Sequence, residues 1–290
     1  MTKGQKRNIR QEVTDRIVAA LKEGTVPWVK PWTGIPGDGV PVNATTNRAY
    51  RGVNVFLLYL TQMAKGYETS QWLTFRQAKK IGASVRKGER GTTVVFWKLL
   101  KKDEGTDEER VIPLLRHFTV FNRDQCDGMP ELEGEAPRTE FERHAAAEAM
   151  IEATGADIRH GGGRAFYNRS DDKIQLPKRE RFHNTESYYS AAFHELVHWT
   201  GAPSRLNREK GGRFGDTKYA FEELIAEMGA AFLCAENEIS GELQHPAYIE
   251  SWIEVLENDN NALFSAASKA RKAADLIGGP AETVEVKAAA

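Results

Sequence analysis

His194, Glu195 and His198 stand in the string His194-Glu195-Leu196-Val197-His198, inside a segment from Tyr188 to Trp199 that contains no Gly or Pro and reads as helix. Four positions make about one helical turn, so both imidazoles face one side and can hold one metal ion, with Glu195 beside the water that such an ion polarises. The chemistry is metal-assisted hydrolysis. The ion lowers the pKa of the water, and Glu195 takes the proton as general base.

Such a site needs a third protein ligand and one open position. In the extended pattern HExxHxxGxxH a third His follows the second by six residues; Gly201 fits the glycine of that pattern, but position 204 is Ser. The search therefore moves to a helix expected over Tyr219 to Ala235, which carries Glu222, Glu223 and Glu227. Glu223 and Glu227 are one turn apart, so one can ligate while the other orients a ligand His. Glu223 ranks first as ligand, Glu227 second as orienting group or alternative ligand, and Glu222 third. Tyr219 is the candidate to stabilise an oxyanion. His160, His183 and His245 are possible ligands in principle, each read first as a surface or packing residue. Cys126 and Cys234 are isolated, which supports neither a disulfide framework nor a thiolate site, so the ion expected is Zn²⁺, with another divalent metal such as Mn²⁺ as the alternative.

Several elements must position these groups. Thr139 to Thr154 reads as a helix stopped by Gly155, and Ala165 to Asn168 and Lys173 to Pro177 as short extended segments joined by Ser170-Asp171-Asp172. Asn184-Thr185-Glu186 is the expected cap of the motif helix. A substrate is expected to lie extended along an edge strand at Lys173 to Pro177.

The net charge of -1 hides a division: residues 1 to 102 carry 19 basic and 6 acidic side chains, the remainder 21 basic and 35 acidic. A basic module attached to an acidic one suggests a polyanion partner for the first, although a solvated lysine-rich face would give the same count. Aromatics interleave with the cations. Bases stack on such rings in a basic groove, which holds single-stranded nucleic acid without strong sequence preference. The candidates are Trp28, Trp32, Tyr50 and Trp72 with Lys30, Arg48, Arg51, Arg76, Lys79, Lys80, Arg86, Lys87 and Arg90. Phe56, Tyr59 and Phe96 are assigned to the core. No helix-turn-helix, zinc finger or Walker loop is recognisable.

The chain of 290 residues, 40% apolar, suits two domains. The expected class is α+β. A small basic α+β nucleic-acid-binding domain spans 1–124, a Gly, Pro and Glu-rich linker 125–138, a mainly helical metal domain with a small sheet 139–278, and a disordered tail 279–290. In the first domain a helix carries Ile9, Val13, Ile17 and Leu21, a second runs from about Val53 to Ala64, Gln71 opens a short helix, and strands Thr92 to Lys98 and Val111 to Asn122 pair. No apolar run approaches the roughly 18 to 20 residues that span a bilayer, and the start shows no signal-peptide core, so no membrane partner and a cytoplasmic location are expected.

The run His194 to Gly201, then Pro203-Ser204-Arg205-Leu206-Asn207-Arg208, Phe214-Gly215 and Tyr219 to Glu227, resembles the antirestriction protein ArdC family. So do Pro27-Trp28 through Trp32, Asn47 to Asn54 and the turn Lys87-Gly88-Glu89-Arg90-Gly91. The resemblance implies an N-terminal domain that binds single-stranded DNA and a C-terminal zincin-like metallopeptidase domain. It also implies a mobile element acting in a bacterial cytoplasm against host restriction, whose components are the protein substrates to consider. Glu223 to Glu227 is similar to the third-ligand helix of ImmA/IrrE-type gluzincins, which favours Glu223 by position; Glu227 stands where Asn or Asp is usual there. Two further helices between Tyr248 and Ile277, broken at Asp259-Asn260-Asn261, fit the same family. The competing expectation is a protector that coats single-stranded DNA and whose metal domain is structural or silent. A metal-dependent nuclease is disfavoured, because two-metal phosphodiester chemistry wants clustered carboxylates.

Overall fold

The structure, a computed structural model, describes residues 8–29, 39–102, 110–131, 139–208 and 217–279. It has two domains of mixed helix and sheet. The first begins with α1 (Ile9–Lys22), whose Asn8 cap accepts a hydrogen bond from the Gln11 amide and whose stripe Ile9, Val13, Ile17 and Leu21 is buried. After β1 (Val42–Asn43) comes α2 (Val53–Lys65), apolar nearly all round and buried on every side. β2 (Gln71–Leu73) precedes α3 (Phe75–Lys80), which starts at a Thr74/Gln77 capping box, so Gln71 opens a strand where a helix was expected. β3 (Ser84–Val85), β4 (Thr92–Lys102), β5 (Arg110–Asn122) and β6 (Cys126–Asp127) follow.

The main sheet has the order β1-β2-β5-β4, with β4 and β5 antiparallel as expected. β4 is an edge strand, and the free backbone groups of one of its residues, Val95, are covered by Asn54 of α2. Its amide donates to Val95 O (2.7 Å), and its carbonyl accepts from Val95 N (2.8 Å). The expected linker opens on ordered structure: Gln125 is buried, and Cys126 pairs with Val85. Residues 103–109, 132–138 of the expected linker and 280–290 of the expected tail lie outside the described residues.

In the second domain α4 (Glu140–Ala153), capped by a Thr139/Glu142 box, leads into β7 (Asp157–His160), β8 (Phe166–Asn168) and β9 (Lys173–Leu176). Their order is β7-β9-β8. The segment expected as an edge strand is therefore the central one: β7 pairs with one side of β9 and β8 with the other, leaving its backbone no free edge. α5 (Thr185–Thr200), whose Asn184 cap accepts from Ser187 N at 2.7 Å, packs on β8 and β9. α6 (Thr217–Glu236), α7 (Ile249–Asn258) and α8 (Ala262–Gly278) complete the fold.

The domains share one apolar cluster. Trp28 lies edge-on to Phe56 (6.0 Å between ring centroids) and to Trp252 of α7 (5.6 Å), and Phe56 stacks on Phe232 of α6 at 5.0 Å. Arg51 pairs with Asp275 of α8 at 2.5 Å, and Lys22 with Glu257 of α7 at 2.6 Å. Truncating Phe56 opens a cavity against α6. Phe56→Ala should cost about 3–5 kcal/mol in urea unfolding, and fluorescence and circular dichroism should report one common transition for both domains.

Candidate metal centre

α5 and α6 approach closely because Gly229 of α6 faces Val197 of α5: a Cβ at position 229 would stand 2.6 Å from Val197 Cγ2. That approach brings the motif helix and the glutamate helix together with all the relevant side chains buried, His194 at 0%, His198 at 6% and Glu223 at 2% exposure. His194 Nε2 is 3.2 Å from His198 Nε2 and 3.3 Å from Glu223 Oε2, and His198 Nε2 is 3.5 Å from Glu223 Oε1. A tetrahedral ion with bonds of about 2.0–2.1 Å has donor–donor edges of about 3.4 Å, close to these separations, with Glu223 turning Oε2 to His194 and Oε1 to His198. Burial pushes the His194 pKa down, which leaves its ring nitrogens free of charge and suited to ligation. Burial opposes ionisation of Glu223, but the charge of His198 and the hydrogen bonds from His194 and His198 hold its carboxyl well below the usual range.

The outer nitrogens of the two histidines face different carboxylates. His198 Nδ1 is 3.4 Å from Glu222 Oε1, and Glu222 is clasped by the buried Arg208, whose guanidinium donates to it at 2.9 Å. Burial alone would raise Glu222; His198 and Arg208 override it and hold its pKa at about 2. Arg208 also donates to Thr200 Oγ1 (2.7 Å) and Val197 O (2.5 Å), fastening the chain after the motif to the last turn of α5. Gly201 has its reason here, since a Cβ would come within 3.1 Å of that guanidinium. His194 Nδ1 has Glu227 Oε1 at 3.9 Å and no hydrogen bond. Glu227, pushed up to about 8 by burial, instead accepts the backbone N–H groups of Gln244 (3.0 Å) and His245 (2.9 Å).

Three further groups border the centre. Glu195 is buried at 5% exposure, and its charge acts on both Tyr219 and His245. Burial raises the Tyr219 phenol, and the charge of the neighbouring Glu223 and a hydrogen bond with it raise it further. His245, a possible ligand that the sequence reading placed first among surface or packing residues, lies at the centre: its Nε2 is 3.3 Å from Glu223 Oε2, and it joins His194 and Glu223 in one cluster of potential ligand atoms.

The candidate nucleic-acid residues divide by burial. Trp28 (3% exposed), Tyr50 (8%) and Trp72 (0%) are core rings, because the largest apolar side chains of a small domain are needed to fill it; they cannot serve as stacking surfaces. Arg51 is tied to Asp275, and Arg86 to Glu89, Asp127 and the Asp124 carbonyl. Lys30 and Trp32 lie outside the described residues. Arg48, Arg76, Lys79, Lys80, Lys87 and Arg90 are exposed. Among them stands a ring that the sequence pattern does not single out: Phe75, 58% exposed on α3, one turn from Lys79. Phe96, assigned to the core, is half-buried against Phe118.

Residues 7–121 match the family described as the N-terminal domain of anti-restriction factor ArdC, and residues 145–269 that of zincin-like metallopeptidases. The crystal structure of the antirestriction ArdC protein from plasmid R388 in its metal-free form is 44% identical, with a TM-score of 0.80 over 93% of this chain and 97% of that one. The chain belongs to the ArdC antirestriction family. A Mn(II)-bound structure of the R388 ArdC protein is similar at 42% identity and a TM-score of 0.78 over 93% of this chain and 97% of that one. The uncharacterized protein y4eC of Sinorhizobium fredii is 41% identical over 92% of this chain and 91% of its own length. A DNA primase TraC of Escherichia coli is 41% identical over 94% of this chain, which spans only 27% of that protein. Among the described residues no helix is long and apolar enough to cross a membrane.

Within this ArdC-family chain, Arg208 and His245 carry no motif of their own. Arg208 is visible in the sequence only as part of the family run, and His245 stands in a segment without apolar period. Cutting the buried pair at one end strands the other charge. Arg208→Ala should therefore lower stability by about 3–5 kcal/mol in urea unfolding.

Proposed function

We propose that this chain is an antirestriction protein of a mobile element that binds single-stranded DNA through its first domain and hydrolyses peptide bonds at the centre between α5 and α6. The observation that carries the reading is the convergence of His194, His198 and Glu223 at tetrahedral edge lengths, with Glu195 on the same helix turn. His194, His198 and Glu223 would hold the ion, Zn²⁺ or Mn²⁺; the manganese form of the R388 relative supports a divalent metal. When bound, the ion supplies the positive charge that acidifies a neighbouring water and polarises a carbonyl. Glu195 takes the proton of that water and returns it to the leaving amine. Tyr219 directs its hydroxyl to the oxyanion side, and Glu222 fixes His198 in the tautomer that turns Nε2 inward. The substrate class is protein, with host restriction components first to test.

The DNA side of the reading rests on the exposed cations of α3 and the β3–β4 turn together with Phe75. A second reading, a strand-coating protector with a silent metal domain, draws on His245, because four protein donors would close the site. A truncated first domain would be a poor test, since it would expose Trp28 and Phe56.

Glu195→Ala in the full chain should keep Mn²⁺ affinity and oligonucleotide binding and abolish peptide hydrolysis; unimpaired protection of transferred DNA by this variant would instead support the protector. Phe75→Ala should weaken single-stranded oligonucleotide binding by about 1–3 kcal/mol in fluorescence anisotropy. Lys79→Ala with Lys80→Ala should flatten the logarithmic salt dependence by roughly 0.7 for each phosphate that is no longer neutralised.

A further inference from the structure

The donor set does not end with the two helices. After α6 the chain returns through Gly241 to Tyr248, and His245 on this segment brings its Nε2 to 3.3 Å from Glu223 Oε2, with its ring centroid 4.9 Å from that of His194. One ligand atom each of His194, Glu223 and His245 lie within 4.8 Å of one another. The segment is fastened from both helices. Glu227 of α6 accepts the amides of Gln244 and His245, while the Glu242 amide donates to Ser190 Oγ of α5 at 3.1 Å and Ser187 Oγ donates to the Glu242 carboxylate at 2.5 Å. Unlike the other donors, His245 stands on irregular backbone and is 37% exposed.

We propose that His245 is a fourth protein donor to the ion held by His194, His198 and Glu223, and that its segment thereby closes the position a peptide substrate must enter. The inference rests on the metal reading given above. Four protein donors make a closed site, whereas hydrolysis needs an open position. Three of the donors sit on helices locked by the core; the fourth sits on a part-exposed strap whose attachments are a few hydrogen bonds to Glu227, Ser187 and Ser190. His245 is accordingly the donor that gives way, and Glu227 works as a positioning residue that sets where the strap rests.

The full chain loaded with Co²⁺ tests this by absorption and by titration. His245→Ala should lower Co²⁺ affinity by at least about tenfold and change the visible bands as solvent replaces the imidazole. In His245→Cys a thiolate-to-cobalt charge-transfer band should appear in the near ultraviolet, absent from the wild type, whose Cys126 and Cys234 are free and buried. Wild-type affinity in the first variant with no such band in the second would overturn the proposal. His194→Ala and Glu223→Ala separate the two levels: if they lose Co²⁺ while the His245 variants behave as wild type, only the fourth donor is wrong. If they too bind as wild type, the metal centre itself is wrong and the proposal falls with it.

Discussion

Everything at the centre depends on how closely α5 and α6 pack, and that closeness is set where Gly229 lies against Val197. A side chain at position 229 would wedge the helices apart and destroy the tetrahedral spacing of His194, His198 and Glu223. Close-packed interiors do not absorb such changes gradually. The same helices are braced from outside by β8, β9 and α8. The site is therefore a property of a helix–helix contact rather than of any one helix.

Buried charge has to be paired, and the pairing here does double duty. Arg208 and Glu222 would each be costly alone in the interior; together, and with His198, Thr200 and the Val197 carbonyl, they satisfy one another and fix the orientation of an imidazole. Glu227 follows a different logic. Burial favours its neutral form, and its acceptor oxygen is used on backbone amides of the His245 segment. Two glutamates of one helix, Glu222 and Glu227, thus support two different neighbours of the centre.

The junction between the domains is apolar, with Trp28 and Phe56 inserted between α6 and α7, and Arg51 and Lys22 pairing at its margin. The helix that carries Glu223 is thereby in direct contact with the domain that displays the exposed cations. This union decides the fate of the aromatic residues: Trp28 belongs to the shared core, while Phe75, on a short helix at the surface, stays in solvent.

The sequence by itself determined the elements with strong period or caps: the buried stripe of α1, the pairing of β4 with β5, the motif helix with its Asn184 cap, and the break before α8. It also placed His194 and His198 on one face of a helix with Glu195 between them, because spacing along one helix follows from local geometry alone. It ranked Glu223 first among three glutamates, but the order of the other two was a matter of which neighbours lie across the interface, which no period encodes. Only tertiary structure decided that Glu222 faces His198, that Glu227 holds a strap, and that β9 is central rather than an edge. Arg208 was illegible as a neighbour of the centre, and His245 could not be told from His160 and His183, for the same reason: each reaches the centre from irregular chain, where position is fixed by hydrogen bonds to distant residues. The buried rings Trp28, Tyr50 and Trp72 teach the complementary lesson. An aromatic beside a cation in sequence reads as a binding surface, and only packing decides which side of it faces water.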